Sequence, residues 1–109
     1  MKYVEVNGQR YPASVIRIQV DRYWNNRDCR EIFLETTIES IKTLFSDGVS
    51  WKIIEGEEVE GNFTTFSEED CSDYSISGPV TDHRDGRVSI KMGKLTDREI
   101  IEIITEGVR

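Results

Sequence analysis

Residues 80–93, VTDHRDGRVSIKMG, carry the only histidine of the chain inside the pattern of a tight chain reversal. Asp85–Gly86 is a preferred pair for a type I′ hairpin turn, in which both central residues take positive φ. The flanking runs, 73–82 and 87–93, alternate apolar and polar residues as half-buried strands do. The stretch therefore predicts an antiparallel hairpin with His83 near its tip. Asp82, His83 and Asp85 are also the obvious proton-transfer cluster of the chain. Successive strand residues point to opposite faces, so Asp82 and His83 would not address one substrate atom. The turn accounts for the histidine without any chemistry.

Upstream, KYVEV (2–6) alternates and ends at Asn7–Gly8, a second hairpin signal. RYPASVIRIQVDRYW (10–24) predicts one strand, with Ile16, Ile18 and Val20 on the buried face and Arg17, Gln19 and Asp21 opposite. Pro12 cannot donate to a ladder, so this strand begins at a sheet edge or bends there. NNRD (25–28) turns the chain and CREIFLET (29–36) returns it as a strand. The period then changes: Ile38, Ile41, Leu44 and Phe45 follow helical spacing, which predicts a helix over about 37–47. Thr36 is its expected cap, with Glu39 completing a capping box, and Gly48 its stop. VSWKII (49–54) predicts a further strand. LTDREIIEIITEG (95–107) predicts a second helix over about 97–106, with Thr96 and Glu99 as its capping box. Ile100, Ile103 and Ile104 are its expected buried stripe. The whole pattern predicts an α+β fold: about six mostly antiparallel strands in a strongly bent sheet, or a small barrel or sandwich, with two helices.

A chain of 109 residues is the size of one domain and long enough to bury a core without metals or disulfides. Its composition, 37% apolar and 32% charged, is that of an ordinary globular protein. No apolar run approaches the roughly 20 residues of a membrane span, and the first residues lack the pattern of a signal peptide. A cytoplasmic protein is expected. The net charge of −7 is concentrated in residues 55–73, EGEEVEGNFTTFSEEDCSD, with eight acidic residues and no basic one. Gly56, Gly61 and the crowded like charges predict an acidic loop or a projecting hairpin there.

The residues that carry chemistry are sparse. A zinc site needs three or four converging Cys, His or carboxylate ligands, whereas this chain offers His83 and two distant cysteines, Cys29 and Cys71. Arg27 and Arg30 stand close to Cys29 in the sequence and would lower its thiol pKa, but a small half-buried strand residue is the expected reading. The EF-hand pattern is absent from the acidic segment, and no P-loop, G-x-S-x-G or G-x-G-x-x-G occurs. The sequence thus predicts no enzyme activity, no metal, no cofactor and no small-molecule substrate. One cluster combines positive charge with aromatic rings: Arg17, Arg22, Tyr23, Trp24 and Arg27, within RIQVDRYWNNRDCR (17–30). Arginine and aromatic side chains are enriched in protein interfaces. They also grip single-stranded nucleic acid, by backbone charge and base stacking. Asp21, Asp28 and Glu31 interrupt the positive field. This favours surface ion pairs with Trp24 packed at a strand end first, a protein interface or self-association second, and nucleic acid last.

The stretches YVEVNGQRYPASVI (3–16), LFSDGVSWKII (44–54) and YSISGPVTDHRDGRVSIKMGKLTD (74–97) resemble small uncharacterised proteins of prophages and related mobile elements in Gram-positive bacteria. The resemblance implies a component of phage particle assembly or an accessory part of an element-encoded complex. It carries over no catalytic residue and no ligand. The expected function is therefore a non-enzymatic structural or protein-interaction module, in the cytoplasm or within a phage-like particle. The alternative is a nucleic-acid-associated accessory protein using the cluster at 17–30.

Overall fold

Two left-handed turns organise the first sheet. Asn7 (φ 53°) and Gly8 (φ 78°) reverse the chain between strands β1 (Lys2–Val6) and β2 (Gln9–Pro12). Glu60 (φ 53°) and Gly61 (φ 80°) do the same between β5 (Trp51–Val59) and β6 (Asn62–Asp70). These paired positive φ values match the right-handed twist of the strands that they join. In this computed structural model, which describes residues 1–107, the four strands form one antiparallel sheet in the order β2-β1-β5-β6. Most of the acidic segment is thus a hairpin and not a loop. Its threonines and phenylalanines favour extended backbone, and its carboxylates face water along an exposed edge.

The predicted strand 10–24 is two strands in two sheets. The Ala13 N–H donates to Lys2 O (3.0 Å) in the first sheet, while the Ser14 N–H already donates to Phe33 O (3.1 Å) in the second. Pro12, which has no N–H to offer, stands at the crossing. Strands β3 (Val15–Asp21), β4 (Arg27–Leu34), β7 (Ile76–Asp82) and β8 (Val88–Gly93) form that second antiparallel sheet, in the order β3-β4-β8-β7. The α+β class with mostly antiparallel strands holds. Among the described residues, however, eight strands form where the sequence predicts about six, in two sheets that share a core and do not close into a barrel. At the β7–β8 reversal, positive φ falls on Arg84 and Gly86, and the His83 N–H donates to Arg87 O (3.1 Å). This is a three-residue connection, not a type I′ turn on Asp85–Gly86. Asp82 and Asp85 accept from the N–H groups two residues onward and set its shape.

Helix α1 (Ile38–Leu44) is shorter than the predicted 37–47. Its cap is Thr37, whose Oγ1 accepts from the Ser40 N–H at 3.1 Å, and not Thr36. Both sheets and α1 share one core. Val4, Val6 and Trp51 come from the first sheet, Ile32, Leu34, Val88, Ile90 and Met92 from the second, and Ile41 and Phe45 from α1 and its end. Phe45 meets Trp51 edge to face at 5.4 Å, and the indole N–H donates to Tyr74 O at 2.8 Å.

Helix α2 (Asp97–Gly107) begins at the predicted capping box. The Glu99 N–H donates to Thr96 Oγ1 (3.2 Å) and the Thr96 N–H to Glu99 Oε1 (2.9 Å). Its isoleucines do not form the expected buried stripe: Ile100, Ile103 and Ile104 are 41–61% exposed. Ile18 (71% exposed) and Val20 (63%) likewise stand uncovered, where the sequence predicts a buried face. Amphipathic spacing marks an apolar face, and only a neighbouring element buries it. Among the described residues no helix is long and apolar enough to cross a membrane.

The buried and the open isoleucines differ sharply in expected cost. Ile41→Ala should lower the free energy of unfolding by about 2–5 kcal/mol, measured by urea denaturation. Ile104→Ala should change it by less than about 0.5 kcal/mol.

Candidate interaction surface

Strand β4 reads Arg27-Asp28-Cys29-Arg30-Glu31 at its start, and Arg27, Arg30 and Glu31 are all buried. Each charge therefore needs a partner. The Arg27 guanidinium donates to both carboxylate oxygens of Glu99, at 2.6 and 2.8 Å, and to Lys94 O at 2.9 Å. Its carbon lies 4.7 Å from the centre of the Trp24 ring. The indole lies against Gly78 and Gly93, where a Cβ would come within 2.3 and 2.9 Å of it. Trp24 and Arg27 together thus tie the root of α2 to the second sheet. The Arg27 guanidinium holds the Glu99 carboxyl down to about 2, with the Thr96 N–H adding to the effect, and Glu99 in turn raises Arg27.

The remaining cluster residues are open. Arg17 lies flat over the Phe33 ring at 5.0 Å, beside Arg87 at 5.4 Å and the His83 ring stacked at 4.7 Å. Arg22 sits over Tyr23 at 5.6 Å, and Tyr23 is 91% exposed. Lys91 donates to Asp21 at 2.8 Å, which lowers the Asp21 carboxyl and raises the ammonium. The five residues singled out in the sequence therefore divide. Arg17, Arg22 and Tyr23 face solvent, while Trp24 and Arg27 hold the fold together. Basic and aromatic residue types do not reveal this division, because both are used for surfaces and for buried ion pairs.

His83 does enter a polar chain. Its Nε2 lies 2.8 Å from Ser89 Oγ, and the Ser89 hydroxyl donates to Glu31 Oε2 at 2.8 Å. With its one hydrogen directed to Glu31, the fully buried Ser89 accepts from His83. A nucleophilic serine has the opposite relation, donating to its histidine. Cys29 is buried, and burial raises its thiol instead of leaving it acidic as Arg27 and Arg30 suggested; both guanidiniums are turned toward carboxylates. Burial, with the Glu69 carboxylate adding to it, pushes Cys71 up to about 12. A cleft of about 560 Å³ opens between β2, the end of β4 and α1, and Tyr11, Leu34, Glu35 and Leu44 are among its lining residues. Among the described residues no three His, Cys, Asp or Glu side chains converge on a metal position.

What residue-by-residue pattern missed is an apolar surface. Ile100, Ile101, Ile103 and Ile104 of α2 are all at least 41% exposed, and Ile18 and Val20 stand open on the edge strand β3. The end of β3 lies near the root of α2, with Ile18 and Val20 on the sheet face opposite to Arg27. Val20 precedes Asp21, Asp21 pairs in register with Arg27, and Arg27 grips Glu99 at the root of α2. Ile101, outside the expected stripe, was the available signal: four isoleucines within five positions widen the apolar face.

A carboxyl held low in the folded state stabilises it above its ordinary range, here 4.5, and loses that contribution as pH falls toward about 2. Hydrogen exchange at the amides of α2 should therefore accelerate across this window. Glu99→Gln should remove the pH dependence and leave the helix loosely held throughout. No family model, curated protein or solved structure matches the chain.

Proposed function

We propose that the chain is a non-enzymatic protein-interaction module, which binds through the uncovered apolar side chains of α2 and of the edge strand β3. One observation carries this reading: the four isoleucines of α2 stand exposed on a helix whose first turn is locked to the body. A free helix of eleven residues is marginal in water and gains stability chiefly by burying an apolar face. Full burial of one isoleucine contributes about 1.5–3 kcal/mol, so a partner that covers several has a substantial driving force. Arg17, Arg22 and Tyr23 are also exposed and are of the residue types enriched in protein interfaces. The setting is that of the prophage proteins which the sequence resembles, as a structural or accessory component in the cytoplasm or in a phage-like particle.

The test separates a partner surface from a covering of the core. Ile101→Lys combined with Ile104→Lys should leave the unfolding free energy of the body within about 0.5 kcal/mol of the parent. It should also reduce binding of a dye that reports exposed apolar surface. A loss of several kcal/mol would make the stripe part of the core and overturn the proposal. Titration with a single-stranded oligonucleotide at low salt should show no binding. Binding that weakens steeply with added salt would move the function to nucleic acid.

A further inference from the structure

We infer that the partner is a second copy of this chain, joined β3 to β3 in antiparallel fashion across a twofold axis at Gln19. The inference rests on the interaction-module reading and names the partner. Each sheet has two edge strands, and unpaired edges invite another chain unless they are blunted. Strand β2 is four residues long and ends in Pro12. Strand β7 contains Pro79 and an irregular register between Ser77 and Val80. Strand β6 belongs to the hairpin of segment 55–73, whose eight acidic residues repel a second copy of themselves. Strand β3 alone lacks these devices. Its seven residues contain no proline or glycine, pair with β4 without a bulge, and carry one positive and one negative charge.

The strand is also complementary to itself. A twofold axis at Gln19 sets Ile18 against the partner's Val20 and Arg17 against the partner's Asp21. Residues directly opposite in an antiparallel pair share a face, so the exposed Ile18 and Val20 of both copies form one apolar patch. On the other face Arg17 approaches the partner's Asp21, whose charge that copy's own Lys91 already balances, and no like charges are opposed. The product is a continuous eight-stranded sheet with the isologous contact of a twofold dimer. The repulsive β5–β6 hairpins belong to the other sheet in each copy.

Sedimentation velocity from about 1 µM to about 1 mM should show a monomer–dimer equilibrium. Val20→Lys, on an exposed position, should weaken the dimer at least about tenfold while leaving the fold intact, since an edge charge opposes pairing. Cys29 stands opposite position 19 in the β3–β4 pair, so the cross-linking test is made in a Cys29→Ala background. There Gln19→Cys should cross-link to its own copy under mild oxidation and Arg10→Cys on β2 should not; the native Cys71 is buried. A monomer throughout this range overturns the inference. So does a dimer that is indifferent to Val20→Lys and does not cross-link at Gln19. Either result leaves the interaction-module reading to stand or fall on the separate Ile101→Lys/Ile104→Lys comparison.

Discussion

A strand that is buried on both faces yet begins with four charges is the constraint around which this molecule is arranged. Strand β4 lies between β3 and β8, with Ile32 and Leu34 turned to the core and Arg27, Cys29, Glu31 and Phe33 turned the other way. A buried charge without a partner costs several kcal/mol, so each one recruits a group from elsewhere in the chain. Arg27 takes Glu99 of α2, and Glu31 takes Ser89 of β8. Arg30 lies over Tyr74 and reaches Asp28 and Glu69, while Asp28 accepts from the Tyr74 hydroxyl. These contacts span the chain from β4 to α2. They fix where the last helix starts and where the five-residue connection between β6 and β7 runs.

The same arrangement explains why the outer face of the second sheet is dry without being apolar. Trp24, Arg17, Arg87 and the His83 ring lie across it, and their flat groups cover Phe33 and the glycine backbone. Long cationic side chains can shield apolar surface along their stems while the charged end stays near water. His83 thereby has a structural place, stacked on Phe33 and hydrogen-bonded to Ser89. What the fold leaves uncovered is the outer half of β3 and the isoleucines of α2. Association through these surfaces is the function proposed for the chain.

Features set by neighbours in sequence were legible in advance. The Asn7–Gly8 turn, the Thr96–Glu99 capping box and the alternation of 87–93 depend on backbone geometry over a few residues. The α+β class followed from them. Locally similar choices were harder to separate: Thr36 and Thr37 offer the same hydroxyl, and it is Thr37, with extended backbone, that accepts from the Ser40 N–H. The β7–β8 reversal likewise depends on two aspartates that the Asp–Gly rule does not weigh.

The sequence by itself determined the Asn7–Gly8 turn, the Thr96–Glu99 cap, the concentration of acidity in 55–73 and the broad fold class, because short-range hydrogen bonding and side-chain period act within a few residues. Only the tertiary structure decided that the chain changes sheets between Ala13 and Ser14, and that Arg27 is buried and bound to Glu99. It alone left Ile18, Val20 and the isoleucines of α2 open. Apolar period tells which face seeks cover. Whether cover arrives depends on contacts between residues tens of positions apart, which no local pattern records.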